Sequence, residues 1–238
     1  MDKNIVIIGS NGAIGKAFVE HYLKDASVSN IFAFSRNNTN SSDDKLTNLH
    51  IDIESEESVA DAAKRIDGYK IDIIITATGI LHSYRIKPEK SIKDINHESF
   101  MKVFSVNAVG PALIGRYFIP LLKKDTKSVI AFLSARVGSI SDNKLGGWYS
   151  YRASKSALNQ IVKNFSIELK RTNPKAIVLA LQPGTVDSNL SEPFKRNVAQ
   201  GKLFTPEQSR ELLSNVIENA TTDDSGNLLA YDGETISP

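Results

Sequence analysis

Tyr151 and Lys155 are the residues whose types and spacing best suit acid–base chemistry. They lie four positions apart in a run with a helical pattern, residues 150–171, so they share one face of a helix. An ammonium group beside a phenol favours the ionised phenol and moves its pKa down from about 10. The pair therefore predicts a tyrosine that can exchange a proton near neutral pH.

This spacing is not specific by itself, because tyrosine and lysine are ordinary residues of solvated helix faces. Tyr149 is a rival acid two residues earlier. Four residues after Tyr149 stands Ala153, so this tyrosine has no lysine on its own face. The elements that must position Tyr151 and Lys155 decide between the two interpretations.

A glycine-rich turn stands near the start of the chain, directly between an apolar run, residues 4–8, and a helical pattern. Glycines allow backbone N–H groups to approach a pyrophosphate at a helix N-terminus, where the partial positive charge favours an anion. The position predicts a dinucleotide-binding turn, and the alternative is a plain tight turn. Its residues are Gly9, Ser10, Asn11, Gly12, Ala13, Ile14 and Gly15.

Ser35 and Arg36 follow the second apolar run, residues 31–34. At this place in a βαβ nucleotide-binding unit, a carboxylate would bind the 2′-hydroxyl of the adenosine ribose and select NAD. Here a small uncharged serine precedes an arginine, which can make charge-assisted hydrogen bonds to a 2′-phosphate. The two residues favour NADP(H) over NAD(H), with a solvated arginine as the alternative.

Further apolar runs alternate with helical patterns along the chain. They cover residues 49–51, 71–77, 128–133, 176–181 and 228–231. This alternation predicts an α/β protein with one Rossmann-type, doubly wound parallel sheet, helices on both faces and a single domain over residues 1–238. Ligands of such sheets bind at the carboxyl ends of the strands, where Gly79 and Ser134 stand.

Capping signals predict where two of the helices begin. Ser55 is expected to cap one helix, and Thr205, Pro206 and Gln208 form the capping box of another. A long helical region over residues 99–124 is expected to be interrupted around Gly110-Pro111.

The stretch 189–204 shows neither a strand nor a helix period, and it joins a strand end at the site to a well-capped helix. It therefore predicts a mobile lid. Nearby side chains are either pocket residues or ordinary packing and surface residues; the apolar ones are Trp148, Ile140, Phe194 and Leu203, and the polar ones are His82, Tyr84, Arg85, Lys87, Lys195 and Arg196.

Composition excludes several kinds of protein. The 238 residues are 41% hydrophobic and carry a net charge of only +2, so neither nucleic acid nor a membrane surface is expected as a partner. No cysteine is present, and the four histidines lack metal-ligand spacing, so no metal site is expected. No apolar run is long enough for a signal peptide or a membrane span, which predicts a cytoplasmic protein.

Together these motifs resemble the classical short-chain dehydrogenases/reductases over nearly the whole chain. The matching landmarks are the glycine turn, Asp52, Gly79, Asn107, Ser134, Tyr151 with Lys155, and Pro183-Gly184. The segments 134–143, 146–155, 183–188 and 231–234 resemble more narrowly the C-factor-like branch of that family.

The resemblance implies a seven-stranded Rossmann domain, a homo-oligomer, and hydride transfer between NADP(H) and a small carbonyl or alcohol. Tyr151 would be the general acid and base, Lys155 would lower its pKa and hold the nicotinamide ribose, and Ser134 would orient the substrate oxygen. Asn107 would hold a water of the proton relay. The remaining expected cofactor contacts are the adenine contacts Asp52 and Ile53, the strand end Ala77, Thr78 and Gly79, and the later segment Pro183, Gly184, Val186 and Ser188.

Three positions depart from the family pattern. Ala13 replaces the usual middle glycine, Thr76-Ala77-Thr78-Gly79 replaces Asn-Asn-Ala-Gly, and Ser134 precedes Tyr151 by 17 residues, a few more than usual. A rival function of another class is an NADP-binding sensor or signalling protein with little turnover, since fold does not fix function. The complete set of Asn107, Ser134, Tyr151 and Lys155 favours the enzyme.

Overall fold

The protein is described by a computed structural model that covers residues 2–37 and 43–238, without the side chains of residues 196 and 197. Seven parallel strands form one sheet, in the order β3-β2-β1-β4-β5-β6-β9. These strands are β1 (Lys3–Ile8), β2 (Val28–Ser35), β3 (Leu46–His50), β4 (Ile73–Thr76), β5 (Ser128–Leu133), β6 (Ala176–Gln182) and β9 (Leu228–Ala230). A separate two-stranded ribbon pairs β7 (Thr185–Val186) with β8 (Leu203–Phe204).

Helices cover both faces of the sheet. The α-helices are α1 (Ala13–Lys24), α2 (Glu56–Lys64), α3 (His97–Phe104), α4 (Gly110–Phe118), α5 (Tyr149–Thr172) and α6 (Pro206–Asn219). One core cluster joins the sheet to α2, α4 and α5, with Phe34, Phe118 and Phe132 among its largest side chains. The other joins it to α1 and α6 around Phe18 and Leu213. The predicted doubly wound architecture is thus confirmed.

The central strands are continuous apolar runs because both of their faces are covered. Residues 5–8 of β1 and all six residues of β5 are buried. A strand with only one buried face would alternate apolar and polar residues, and these do not. The sequence pattern therefore follows directly from the position of these strands in the middle of the sheet.

Both predicted capping signals are present. The hydroxyl of Ser55 accepts a hydrogen bond from the Ser58 N–H at the start of α2. At the start of α6, Thr205 and Gln208 form a reciprocal capping box. No helix in the described part of the chain is long and apolar enough to cross a membrane.

Two expectations need refinement. The predicted interruption of the long helical region is present as a π-helical turn at Ser105–Val109, directly before Gly110-Pro111, and the Gly110 N–H donates to the Ser105 carbonyl. Pro111 lies in the first turn of α4, where a residue needs no N–H partner. The stretch 189–204 is also more regular than expected, since it contains the 3₁₀ helix Glu192–Asn197 and the strand β8. Residues 38–42 of the predicted polar loop after Arg36 lie outside the described residues.

Candidate active site

The carboxyl ends of β1, β4, β5 and β6 meet at one edge of the sheet. The chain order reverses between β1 and β4, which makes this edge the usual ligand position of a doubly wound sheet. The glycine turn follows β1, Gly79 follows β4, Ser134 follows β5, and Pro183-Gly184 follows β6. The structure therefore brings the predicted cofactor segments to the same side of the molecule.

Close packing explains the glycines of the first turn. Gly9 has φ 87°, and a Cβ there would lie 2.7 Å from the Ala77 backbone oxygen at the end of β4. A Cβ on Gly15 would lie 2.2 Å from the Gly9 oxygen. Helix α1 begins at Ala13, and its N-cap Gly12 has no side chain to cap the first N–H groups. With no acidic residue in that turn, these N–H groups suit an anion such as a pyrophosphate.

Hydrogen bonds fix the glycine turn to the end of β2. The N–H and hydroxyl of Ser10 both donate to the Phe34 carbonyl, at 3.1 and 3.2 Å. The amide of Asn11 donates to the Asn37 carbonyl at 2.7 Å. Arg36, which is exposed, lies between these two anchored carbonyls in the chain. The segment that carries the predicted 2′-phosphate ligand is thus held beside the predicted pyrophosphate turn.

Unpartnered polar atoms occur after β4 and at the end of β6, the two strands that flank β5. Thr78 Oγ1, after β4, and Gln182 Oε1, at the end of β6, are buried and have no hydrogen-bond partner among the described residues. Buried polar atoms rarely stay unpaired in native proteins, so both positions suit a polar ligand. Together with the glycine cradle, they make these residues fit a dinucleotide.

The remaining predicted cofactor residues are also held by local contacts. The Asp52 carboxylate accepts a hydrogen bond from the Glu54 N–H at 3.1 Å, and Ile53 is buried beside Gly110 at the start of α4. Gly184 has φ 76° and packs against Phe204. Three further bonds tie the segment after β6: Ser209 donates to the Pro183 carbonyl, Ser191 donates to the Val186 carbonyl, and the Ser188 N–H donates to the Ser191 hydroxyl.

Tyr151 and Lys155 lie in the first turns of α5, and both are buried. The Lys155 Nζ atom lies 5.8 Å from the centre of the Tyr151 ring and donates a hydrogen bond to the Leu133 carbonyl at 2.8 Å. A Cβ on Gly79 would lie 3.6 Å from the same Nζ atom. The pair therefore faces the end of β4, where a ligand can approach the backbone.

Burial sets the ionisation of this pair. It raises the pKa of Tyr151 to about 12 and lowers the pKa of Lys155 from 10.5 to about 8. The pKa of Tyr151 therefore moves opposite to the expected lowering by Lys155. The reason is that burial desolvates the phenolate, while the Lys155 ammonium is hydrogen-bonded to the Leu133 carbonyl and not to the phenol.

Asn107 lies in the π-turn and is completely buried. Its side chain forms a reciprocal pair with the backbone of Ile80, with both hydrogen bonds at 2.8 Å. It also donates to the Ser154 hydroxyl at 3.1 Å, and Ser154 donates to the Tyr151 carbonyl at 2.8 Å. Asn107 thus connects the segment after β4 to the first turns of α5. Single π-helical turns within α-helical regions are frequent at functional sites.

Ser134 is buried after β5, and its hydroxyl donates to the Asn159 side chain at 2.6 Å. That hydrogen bond uses the single proton of the hydroxyl. A second serine, Ser139, is buried 12 residues before Tyr151, and its hydroxyl accepts from the Asp142 N–H at 3.1 Å. Ser139 was not among the predicted site residues, although the unusually long spacing between Ser134 and Tyr151 pointed to later serines.

Trp148 joins the buried Tyr151 ring to Phe194. The Trp148 ring lies 6.2 Å from the Tyr151 ring and 4.8 Å from the Phe194 ring. His82 lies 6.1 Å from Phe194, and its Nε2 atom lies 2.9 and 3.1 Å from the carbonyl oxygens of Asn189 and Leu190. The stretch 189–198 is thereby held against Trp148, beside the proposed acid.

The other pocket candidates differ in their surroundings. Ile140 is 77% exposed and Leu203 36% exposed, so neither is enclosed by a pocket. Lys195 forms ion pairs with Asp187 and Glu192, whose hydrogen bonds raise its pKa. Two carboxylates therefore already balance its charge. The side chain of Arg196 lies outside the described residues.

Comparison with known proteins gives the family. Residues 3–199 match the family model described as short chain dehydrogenase. The chain is 31% identical over 185 residues to 1-hydroxy-2-glutathionyl-2-methyl-3-butene dehydrogenase of Rhodococcus sp. (strain AD45), covering 77% of this chain and 76% of the relative. The chain therefore belongs to the short-chain dehydrogenase family, and it is an oxidoreductase that uses a nicotinamide cofactor and a small-molecule substrate.

Two further similarities refine this position. The chain is 28% identical over 167 residues to the C-signal protein of Myxococcus xanthus, covering 70% of this chain and 92% of the relative, which agrees with the predicted C-factor-like resemblance. The fold matches that of the NADPH-bound carbonyl reductase from chicken fatty liver, with a TM-score of 0.85, 22% identity, and coverage of 100% and 94% of the two chains.

Proposed function

We propose that this protein is an NADP(H)-dependent carbonyl reductase in which Tyr151 is the general acid. The observation that carries the proposal is the pairing of two buried ionisable residues, Tyr151 and Lys155, opposite Gly79 at the ligand-binding edge of the sheet. Burying ionisable groups is costly, and perturbed pKa values of this kind cluster at functional sites. A protein that only bound a nucleotide would not need a proton donor at that edge.

The chain's own residues would hold the cofactor along the sheet edge. The glycine turn would bind the pyrophosphate, Asp52 and Ile53 the adenine, and the ends of β4 and β6 the nicotinamide half. The residues expected to hold the nicotinamide half are Ala77, Thr78, Gly79, Pro183, Gly184, Val186 and Ser188. When bound, the cofactor supplies the hydride for reduction. Thr78 and Gln182 would then gain the partners that they lack.

Tyr151 supplies the proton. Because burial raises its pKa to about 12, the phenol is protonated at neutral pH and can donate to a carbonyl oxygen that gains negative charge. Lys155, with a pKa of about 8, is mainly charged at pH 7 and stabilises the phenolate that results. This combination favours reduction at neutral pH, whereas alcohol oxidation requires the phenolate first and should be faster at high pH.

A serine would orient the substrate oxygen. Ser134 remains our candidate, but its only proton is donated to Asn159, so it must release that hydrogen bond before it can donate to a substrate. Asn107 holds the turn of α5 that carries Tyr151 through Ser154 and retains one unused lone pair for a water. These residues position the acid and the oxygen that it protonates.

Preference for NADP(H) rests on Arg36. Ser35 donates its hydroxyl to the Asn37 carbonyl at 2.7 Å and carries no carboxylate that could bind both hydroxyls of a ribose, as the acidic residue of NAD-selective proteins does. Arg36 is exposed beside the glycine turn and can pair with a 2′-phosphate. The structurally similar carbonyl reductase from chicken fatty liver has NADPH bound, which is consistent with this preference.

A signalling role with little turnover is the second candidate, because the chain is similar to C-signal. NADPH oxidation against a panel of ketones, aldehydes and quinones separates the two functions. Turnover that disappears in Tyr151→Phe supports the reductase. NADPH binding without turnover of any carbonyl in the panel would favour the signalling role.

A further inference from the structure

Glu89 is a buried carboxylate that the mechanism above does not use. It lies between β4 and α3, is only 1% exposed, and has no cationic partner among the described side chains. Its Oε2 atom accepts a hydrogen bond from the Ser150 N–H at 3.2 Å, and its Oε1 atom has no partner within the described part of the chain. A carboxylate in this position is costly, so its contacts require a functional explanation.

Helix α5 depends on Glu89 because it lacks a cap of its own. Its N-cap residue is Trp148, whose side chain makes no capping hydrogen bond. The first N–H groups of a helix have no partners within the helix and need acceptors from elsewhere. Glu89 supplies one from 61 positions away, and its negative charge suits the positive end of the helix.

The turn before α5 is held by the same residue. Gly146, Gly147 and Trp148 have φ angles of 64°, 66° and 49°, three consecutive left-handed residues, and Trp148 is the one non-glycine with positive φ that the structure describes. A bulky residue in this conformation is strained and persists only when its surroundings enforce it. The Trp148 N–H donates to the Glu89 carbonyl at 2.5 Å, and Arg152 donates to the carbonyls of both glycines.

The C-terminal end of this turn reaches the proposed active site. The Trp148 ring lies 6.2 Å from the Tyr151 ring and 4.8 Å from the Phe194 ring. Ser150, which Glu89 binds, is the residue immediately before Tyr151. A shift of the turn would therefore move the phenol and the indole together.

We propose that Glu89 is a positioning residue. Its carboxylate holds the Ser150 N–H and its backbone carbonyl holds the Trp148 N–H, so that the side chain fixes the first turn of α5 against the left-handed turn and sets where Tyr151 meets a substrate. The catalytic consequence rests on the proposed reductase function. The structural consequence does not, because it concerns only the geometry of the turn.

Tryptophan fluorescence tests the structural part without any turnover, since Trp148 is the only tryptophan in the chain. Glu89→Leu keeps the backbone bond to Trp148 but removes the bond to the Ser150 N–H, which frees the start of α5 next to Trp148. The emission is therefore expected to shift to longer wavelength, and quenching by acrylamide is expected to increase. Glu89→Gln keeps an oxygen that can accept from Ser150 and should retain the wild-type spectrum. Asn96→Ala removes the cap of another helix, α3, and is the matched control that should leave the emission unchanged.

Steady-state kinetics test the catalytic part. A misplacement of about 1 Å can cost about 100-fold in rate, so kcat of Glu89→Leu should fall by about that factor while the NADPH affinity stays within about twofold. Glu89→Gln should restore most of kcat. If Glu89→Leu does not fold, Glu89→Asp replaces it, with a smaller change of the same sign expected in emission and kcat.

Several results would overturn the proposal. One is an unchanged Trp148 emission in Glu89→Leu, or in Glu89→Asp if Glu89→Leu does not fold. A second is a Glu89→Gln variant that is as impaired as Glu89→Leu. A third is a loss of NADPH affinity as large as the loss of kcat. Absence of turnover by the wild type would instead refute the reductase function, and the emission spectra would still decide whether Glu89 fixes the turn.

Discussion

The Lys155 Nζ atom lies 5.8 Å from the centre of the Tyr151 ring and is hydrogen-bonded to the Leu133 carbonyl, not to the phenol. Both side chains are buried, and burial raises the pKa of Tyr151 and lowers the pKa of Lys155, so it favours the neutral form of each group. Near neutral pH, a protonated phenol therefore lies beside an ammonium group that loses its proton more easily than usual. This arrangement determines how activity and stability should depend on Tyr151, on Lys155 and on pH.

Tyr151→Phe should remove the proton donor and leave packing nearly intact, because only one oxygen atom is lost. A positioned general acid contributes about 100- to 10,000-fold, so kcat for any accepted carbonyl should fall within that range while the NADPH affinity is retained. Tyr149→Phe is the control, since Tyr149 has no lysine four residues later. If Tyr149→Phe lost the activity and Tyr151→Phe kept it, the acid would be misassigned.

The pH dependence of reduction should report Lys155. Its pKa of about 8 means that the ammonium is charged below pH 8 and neutral above it, whereas Tyr151 stays protonated up to about pH 12. We expect kcat/KM for reduction to be constant from pH 6 to about 7.5 and to fall above about pH 8. Lys155→Arg, charged at every pH tested, should lose this decline. The same decline in Lys155→Arg would assign the titration to another group.

Stability should change with pH in the opposite direction. Lys155 binds its proton less tightly in the folded chain than in the unfolded chain, so its burial destabilises the fold below pH 8, and the penalty disappears as the pH rises toward 10.5. The difference between the folded and unfolded pKa values corresponds to a destabilisation of about 3 kcal/mol. Replacing the lysine by an apolar residue would remove this penalty, but about 1 kcal/mol would be lost again because the Leu133 carbonyl would have no hydrogen-bond partner.

Urea unfolding of Lys155→Met measures this effect. The variant should be inactive, yet its free energy of unfolding at pH 7 should exceed that of the wild type by about 2 kcal/mol, and the gain should shrink by pH 9.5. Lys170→Met removes an exposed lysine from the same helix and should change stability by less than about 0.5 kcal/mol at either pH. A destabilised Lys155→Met at pH 7 would contradict the burial argument.

The sheet was predictable from sequence because its central strands are apolar on both faces, as in residues 5–8 and 128–133. The caps at Ser55 and Thr205 were predictable for a similar reason: each depends on residues three positions apart. Contacts between distant segments left no such pattern. Glu89 lies 61 positions from Ser150, and nothing near it in sequence indicates that it caps α5.

The pKa shifts were also beyond the sequence. The Tyr-x-x-x-Lys spacing predicts a cation near the phenol, but it does not reveal how deeply either group is buried or that Leu133 binds the ammonium. Similarly, the position of Ser134 after β5 was correct, whereas its hydrogen bond to Asn159 depends on the packing of β5 against α5. Burial and pairing are tertiary properties, and a local pattern specifies them only in part.

Arg36→Ala should weaken NADPH binding and leave NADH binding nearly unchanged. A hydrogen bond to a charged group contributes about 1.5 to 3 kcal/mol, which corresponds to about 10- to 150-fold in the NADPH dissociation constant. Fluorescence titration of both cofactors with wild type and variant measures it. Arg65→Ala, an exposed arginine at the end of α2, is the control. Equal affinities of the wild type for NADPH and NADH would exclude the proposed role of Arg36.

His82 should control the hydrogen exchange of the predicted lid, residues 189–204. Its ring binds the carbonyls of Asn189 and Leu190 and contacts Phe194, so it joins the lid to the segment after β4. Loss of these bonds in His82→Ala should cost about 1 kcal/mol, which speeds local opening about fivefold.

Hydrogen exchange followed by mass spectrometry should show faster exchange in peptides covering residues 189–198, no change in α6, and slower exchange in the wild type when NADPH is added. His97→Ala, an exposed histidine at the start of α3, should leave the lid unchanged. Full protection of residues 189–204 in the free wild type would show that this segment is a fixed part of the fold and not a lid.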